Sequence, residues 1–337
     1  MIFHNKTIFL DQFTPVTIYQ TIKRLYPNEI SFLFESVVND KDGNFSYIVI
    51  GARERIYHKN NQSFYTNEKQ ETIKIDTNPF VFLKSYYKKL DAQMYKDKSI
   101  EIGIGLIDGF IGNIGYDMVC EFEPVLKSHM KNLDDPLDIN DFDLIRPKII
   151  LGYSHKNSKL TIVTSDDSLQ NELKTIEDEL KKPVEFSPIK KAVALDDGSF
   201  YHSKEKFFEM VKDSKEMIRN GDVFQILMTN RYSQKVDVDS FSFYRALRSK
   251  NPSPYLFFLE YEDFTIAGSS PEVMVRLTDN QILLRPIAGT RKRGKTLARD
   301  LEMEHELKND PKEVAEHVML IDLGRNDVGR VAKKGTV

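Results

Sequence analysis

Apolar and polar residues repeat along this chain with two periods, about every second residue or every third to fourth, and the switches between them outline its elements. Residues 30–51 read as strand, turn, strand: the apolar run SFLFESVV, a break over residues 40–44, then FSYIVIG. Phe80, Leu83, Tyr87 and Leu90 recur at helical spacing, which predicts helical pieces within residues 78–95. Residues 101–119 interleave glycines with apolar residues, a pattern suited to a bent strand that another backbone approaches closely. The order strand, G-x-G-x-x-G, helix is absent there, so the glycines are no dinucleotide fingerprint. Residues 149–153 and 160–164 read as paired strands, and residues 169–180 as a helix.

The stretch KKPVEFSPIKKAVALDDGS, residues 181–199, has two prolines, clustered charge and no period. It predicts a domain boundary, with one domain over residues 1–185 and a second over 195–337. Beyond it, Ser203 can cap a helix whose apolar stripe is Phe207, Met210, Val211, Met217 and Ile218, stopped by Gly221. VFQILMTNRYS alternates as a strand does, with Phe224, Ile226 and Met228 on one face and Gln225, Leu227 and Thr229 on the other. Residues 241–250 form a further helical pattern ended by Asn251-Pro252-Ser253-Pro254. YLFFLEY and FTIAGSS read as a hairpin around Glu262 and Asp263, MVRL and ILLRPIAGT as two more strands, and the basic loop TRKRGKT leads to the last helices. Helices mixed with hairpins, rather than strict strand-helix alternation, predict an α+β fold with largely antiparallel sheets.

The final helix carries the candidate chemistry. Asp310 can cap it, Pro311 suits its first position, and Glu313 stands where a capping box places its acid. Glu316, three residues on, shares a face with Glu313. Two carboxylates held that close repel unless a cation joins them. Magnesium, which is held by one or two carboxylates and keeps several waters, suits the pair. The plainer reading is that acids in a first turn are favoured by the helix dipole whatever their role.

Composition narrows the function classes. The 337 residues are 40% hydrophobic and 29% charged with a net charge of -3, an ordinary globular balance without the basic face of a dedicated nucleic-acid binder. The basic loop Arg291, Lys292, Arg293 and Lys295 has no aromatic platform beside it and reads as solvated surface. One cysteine, Cys120, can form no internal disulfide and reads as a small apolar residue, in keeping with a reducing cytoplasm. No leader pattern and no membrane-length apolar run is present, so the expected location is the cytoplasm.

Five blocks then fall in a characteristic order: GDVFQ, NPSPYLFF, GSSPE, PIAGTRKRG and KEVAEHVMLIDLGRNDVGRV. They resemble the chorismate-utilising enzymes and, among these, the large subunits of anthranilate synthase. FLFES and GNFSYIVIG are similar to the N-terminal domain of those subunits, so the resemblance spans the chain. It implies synthesis of anthranilate and pyruvate from chorismate and ammonia, with the ammonia drawn from a glutamine amidotransferase partner. Members that add water carry a lysine where this chain has Gln225, which accords with the need for a base to activate water but not ammonia. Aminodeoxychorismate synthases often carry a nucleophilic lysine in the motif PIKGT, where this chain has Ala288.

The resemblance further implies that Glu313 and Glu316 supply half of a magnesium site, and that Gly289 and Thr290 approach the substrate ring and its carboxylate. A glycine at 289 leaves that approach unobstructed. Asp322, Arg325, Asn326 and Asp327 are expected to build the fold around the site, and His317 to be packed or paired. Glu35, Ser36, Pro254, Tyr255 and Leu256 match a feedback pocket for tryptophan, which alone would read as a buried interface. Leu256 replaces the usual methionine and GNFS the usual GRYS. Relatives continue past the position of Val337 with a histidine, substrate-gripping residues and a second glutamate pair, so this stretch is expected to be inactive by itself. Alternatives are an aminodeoxychorismate synthase, a salicylate or isochorismate synthase, and a non-catalytic tryptophan sensor.

Overall fold

The computed structural model describes residues 2–36, 44–130, 135–185 and 187–337. The expected break at residues 40–44 lies, but for Asn44, outside the described residues. The chain opens with β1 (His4–Phe9) and α1 (Pro15–Leu25). Thr14 and Thr17 cap α1 reciprocally, Pro15 fits its first turn, and Lys23 and Arg24 oppose the helix dipole at its end. Ile18, Tyr19 and Ile22 form its buried face.

β2 (Ser31–Glu35), β3 (Phe45–Lys59), β4 (Gln62–Thr66) and β5 (Thr72–Ile75) follow, then α2 (Pro79–Tyr87), α3 (Ala92–Ile102) and β6 (Ile111–Ile114). A short α4 (Lys127–Met130) precedes the long β7 (Phe142–Ser154), β8 (Lys159–Thr164) and α5 (Glu172–Leu180). The glycine-rich stretch 101–119 is strand only over β6; Gly103 ends α3 in the left-handed region at φ 84°. The expected close approach is real at Gly112, where a Cβ would stand 2.0 Å from the Asp143 carbonyl oxygen of β7.

Residues 185–250 form a separate compact unit. Two-residue strands β9 (Val193–Ala194) and β10 (Ser199–Phe200) pair with β12 (Val236–Asp237) and β11 (Tyr232–Ser233) respectively. Between them runs α6 (Lys204–Asn220), capped by Ser203 and stopped by left-handed Gly221 as the sequence predicts; α7 (Ser240–Lys250) completes the unit. The alternating run 223–231 is not a strand: among the described residues no ladder forms along it, and its end alone is tied through the backbone to another segment, Arg231 O accepting from the Tyr201 N–H at 2.8 Å. A strand needs a neighbour to satisfy its backbone. Phe224 and Leu227 consequently stand 92% and 85% exposed.

At Asn251 the chain returns to the first unit, which comprises residues 1–184 and 251–337. The segment expected as a second domain from residue 195 is therefore shared between two contact units. The hairpin β13 (Tyr255–Glu260) and β14 (Thr265–Ser270) adds to the first sheet, giving the antiparallel order β1-β8-β7-β3-β2-β13-β14, with β4 on β3, β5 on β4 and β6 on β7. Ile30, Phe32, Val49, Ile145, Leu259 and Tyr261 pack a core across β2, β3, β7 and β13. β15 (Arg276–Thr278), β16 (Gln281–Leu283), α8 (Leu297–Asn309) and α9 (Pro311–Gly329) end the chain. The fold is α+β with a large antiparallel sheet, as expected from the sequence.

Candidate functional site

The final helix forms for the reasons its sequence gives. The Asp310 carboxylate accepts from the backbone N–H of Lys312 at 3.0 Å and of Glu313 at 3.3 Å, and Pro311 occupies the first turn. The Glu313 N–H, ahead of the other contacts, and then Lys312 N–H and Arg291 hold the Asp310 carboxyl below the usual aspartate range. The reciprocal half of the expected capping box is replaced: the Glu313 carboxylate turns to Arg291 instead, with Nη1 to Oε1 at 3.3 Å.

After β16 the chain runs on beside α9, and its residues alternate between exposed and half-buried as far as Ala288. Two contacts fix its course: a Cβ on Gly324 would touch Leu284 at 3.4 Å, and one on Gly289 would stand 1.7 Å from Oε2 of Glu313. Eleven residues of helix and five of extended chain each span about 17 Å, so the two contacts are compatible with a straight run. Glu272 of the GSSPE block accepts from the N–H of Ile287 at 3.3 Å and ties that block to the same segment. Gly289 thus lies against the Glu313 carboxylate, with Thr290 exposed beside it.

Arg291 is the residue that motif reasoning placed in a solvated loop. Its guanidinium instead faces inward and gives one nitrogen to each of three acids: Nε to Glu306 at 3.0 Å, Nη2 to Asp310 at 2.8 Å and Nη1 to Glu313. Arg293 pairs with Asp300 at 2.5 Å, so two of the four basic residues serve the chain's own helices. The signal that could have revealed this is the acid spacing at 300, 306, 310 and 313, opposite a basic loop joined to the same helices.

Glu313 and Glu316 lie half-buried one turn apart on α9. Their hard oxygen donors, with Glu313 seated in the room that Gly289 leaves for it, fit part of a magnesium shell that water would complete. Among the described residues no group of three or more His, Cys, Asp or Glu is placed to hold a metal ion. Gln225 belongs to the other unit, exposed in the unpaired run 223–231. His317 is exposed rather than packed, and Asp322 and Arg325 form a surface pair at 2.6 Å.

The expected tryptophan residues gather at the end of two paired strands. Leu256 of β13 is in register with Glu35 of β2, and both are buried, at 1% and 4% exposure. Pro254 and Tyr255 are half-buried next in line, and the Tyr255 hydroxyl accepts from Arg276 at 3.2 Å. Ser36 follows directly on β2. No helix among the described residues is long and apolar enough to cross a membrane.

A family model described as chorismate binding enzyme matches residues 12–337. Anthranilate synthase component 1 of Thermus thermophilus is 34% identical over 339 residues, covering 99% of this chain and 70% of that protein. The crystal structure of anthranilate synthase component I from Streptococcus pneumoniae superimposes with a TM-score of 0.69 at 27% identity, over 88% of this chain and 64% of that one. The menaquinone-specific isochorismate synthase MenF from Escherichia coli gives 0.60 at 13% identity over 95% and 62%, a likeness of fold alone. The present chain thus spans about two thirds of the length of the proteins it matches.

Proposed function

The chain belongs to the chorismate binding enzymes, and from that premise we propose that it is part of the large subunit of an anthranilate synthase. The observation that carries this reading is the 34% identity, over 99% of the chain, to a protein of that name. Two residues support it against neighbouring activities. Gln225 offers no base for activating water, and ammonia needs none; Ala288 cannot attack the ring as a lysine would.

In the proposed reaction chorismate gains ammonia, loses its ring hydroxyl as water and releases its enolpyruvyl group as pyruvate, leaving anthranilate. Gly289 and Thr290 present backbone and hydroxyl to the ring and its carboxylate. Glu313 and Glu316 are the proposed donors to Mg2+, which when bound would neutralise the substrate carboxylate and orient it. Ammonia would come from a glutaminase partner, with ammonium salts able to replace it. Tryptophan would act as feedback inhibitor at Glu35, Ser36, Pro254, Tyr255 and Leu256, its amino group on the buried Glu35 and its indole against Tyr255 and Pro254.

The test is product identity. The full-length protein incubated with chorismate, Mg2+ and an ammonium salt is expected to yield anthranilate and pyruvate, separated by chromatography, while the 337-residue chain yields neither. A product retaining the enolpyruvyl group would instead identify an aminodeoxychorismate synthase. Tryptophan binding without any turnover by the full-length protein would identify a sensor.

A further inference from the structure

Arg291 is bound unequally to its acids, and the inequality has a direction. Its contacts to Asp310 at 2.8 Å and Glu306 at 3.0 Å are close to the usual length of charge-assisted hydrogen bonds, whereas the contact from Nη1 to Glu313 is 3.3 Å. That same Nη1 also donates to the carbonyl oxygen of Thr290 at 3.0 Å. Glu313 can therefore leave without stranding any part of the guanidinium: Nε, Nη2 and Nη1 each keep a partner. Asp310 is further committed to capping α9, and Glu306 is on α8, so neither shares a helical face with Glu316.

Charge points the same way. Glu306, Asp310 and Glu313 surround a single guanidinium, which leaves the group net negative before Glu316 is counted. Glu313 is the member nearest Gly289, whose missing side chain leaves the room in which that carboxylate lies. A carboxylate that is loosely held and in surplus negative charge is the one a divalent cation would take.

We propose that Arg291 is a resident counter-ion for Glu313 which a divalent cation exchanges, Arg291 remaining on Glu306, Asp310 and the Thr290 carbonyl. The inference rests on the reading of Glu313 and Glu316 as metal carboxylates. Arg291 is then a positioning residue: it holds Glu313 against Gly289 until the ion arrives, and it sets the affinity by competing with it.

Manganese, followed by the paramagnetic resonance of the free ion, serves as the probe on the 337-residue chain and its Arg291→Gln, Arg291→Lys and Glu313→Gln variants. Arg291→Gln is expected to bind Mn2+ about tenfold more tightly, since it removes a like charge a few ångströms from a part-exposed site. Arg291→Lys keeps the charge and is expected to stay near the unmodified chain, and Glu313→Gln to lose binding. Equal affinity in Arg291→Gln and the unmodified chain, with binding still lost in Glu313→Gln, overturns the role of Arg291 while leaving the carboxylate site standing. Binding that survives Glu313→Gln, or no binding in any form, overturns both. If Arg291→Gln does not fold, the exchange is read in the unmodified chain from the 15N resonances of the Arg291 guanidinium. These are expected to shift as Mg2+ is added, and resonances that stay in place overturn the proposal.

Discussion

Two glycines that look alike in the sequence differ in what surrounds them, and the difference separates fold from chemistry. A methyl added at Gly112 would stand 2.0 Å from the Asp143 carbonyl oxygen and 2.8 Å from the Tyr261 hydroxyl. The first is backbone of a strand paired on both sides, which cannot withdraw without breaking ladder contacts. A methyl at Gly289 would meet Oε2 of Glu313, the end of a flexible side chain. Gly112→Ala is therefore expected to cost about 3 kcal/mol in urea unfolding, the upper range of overpacking. Gly289→Ala is expected to leave stability within about 0.5 kcal/mol but to displace Glu313 and weaken Mn2+ binding. A large loss of stability in Gly289→Ala would show that this glycine serves packing rather than the site.

The central strands are joined to the helices by charge as well as by apolar contact. Arg146 of β7, buried at 3% exposure, gives Nη1 to Glu54 of β3 at 2.7 Å and Nη2 to Asp108 at 2.5 Å. Tyr86 of α2 donates to the same Glu54 at 2.6 Å, and Tyr65 of β4 makes a close contact to its other oxygen. Removing Arg146 leaves Glu54 buried without that cation, while Asp108 keeps Arg53 at 3.4 Å. Arg146→Met is expected to destabilise the chain by about 3–5 kcal/mol, the range for breaking one side of a buried pair, read from the midpoint of urea unfolding. A change below about 1 kcal/mol, the scale of exposed pairs, would mean that water reaches the cluster. How legible each element was follows from where its determinants lie. The caps at Ser203, Gly221 and Asp310 are local, and the helices they bound form where the sequence places them. The hairpin 255–270 was legible too, but not its addition to β2, since pairing across so many residues leaves no mark in either strand. Run 223–231 has a strand's alternation without a strand's neighbour, so pattern alone misleads there. At the site, the order of the carboxylates could be read from helical spacing, whereas the turn of Glu313 towards Arg291 depends on how a loop and two helix ends meet.

At the scale of the whole molecule, that unpaired run decides how the chain behaves in solution. Single exposed apolar residues are ordinary on any surface, but Phe224 and Leu227 sit three residues apart, exposed at 92% and 85%, in a segment that joins no sheet ladder among the described residues. Alternation puts Phe224 and Leu227 on opposite faces of any strand this run forms, so one added strand would satisfy the backbone and a layer on either side would bury the side chains. An exposed edge with apolar side chains is a template for pairing with another chain. Purified at micromolar concentrations, the 337-residue chain is expected to self-associate, with its mass by light scattering rising with concentration. Phe224→Asp combined with Leu227→Asp is expected to shift it towards monomer without lowering the unfolding midpoint, because neither side chain supports the folded core. A monomer at every concentration would mean that the run's backbone is satisfied by water alone. Association unchanged by the double variant would move the sticky surface elsewhere, with the exposed stripe of Val314, Val318 and Ile321 on α9 the next to examine.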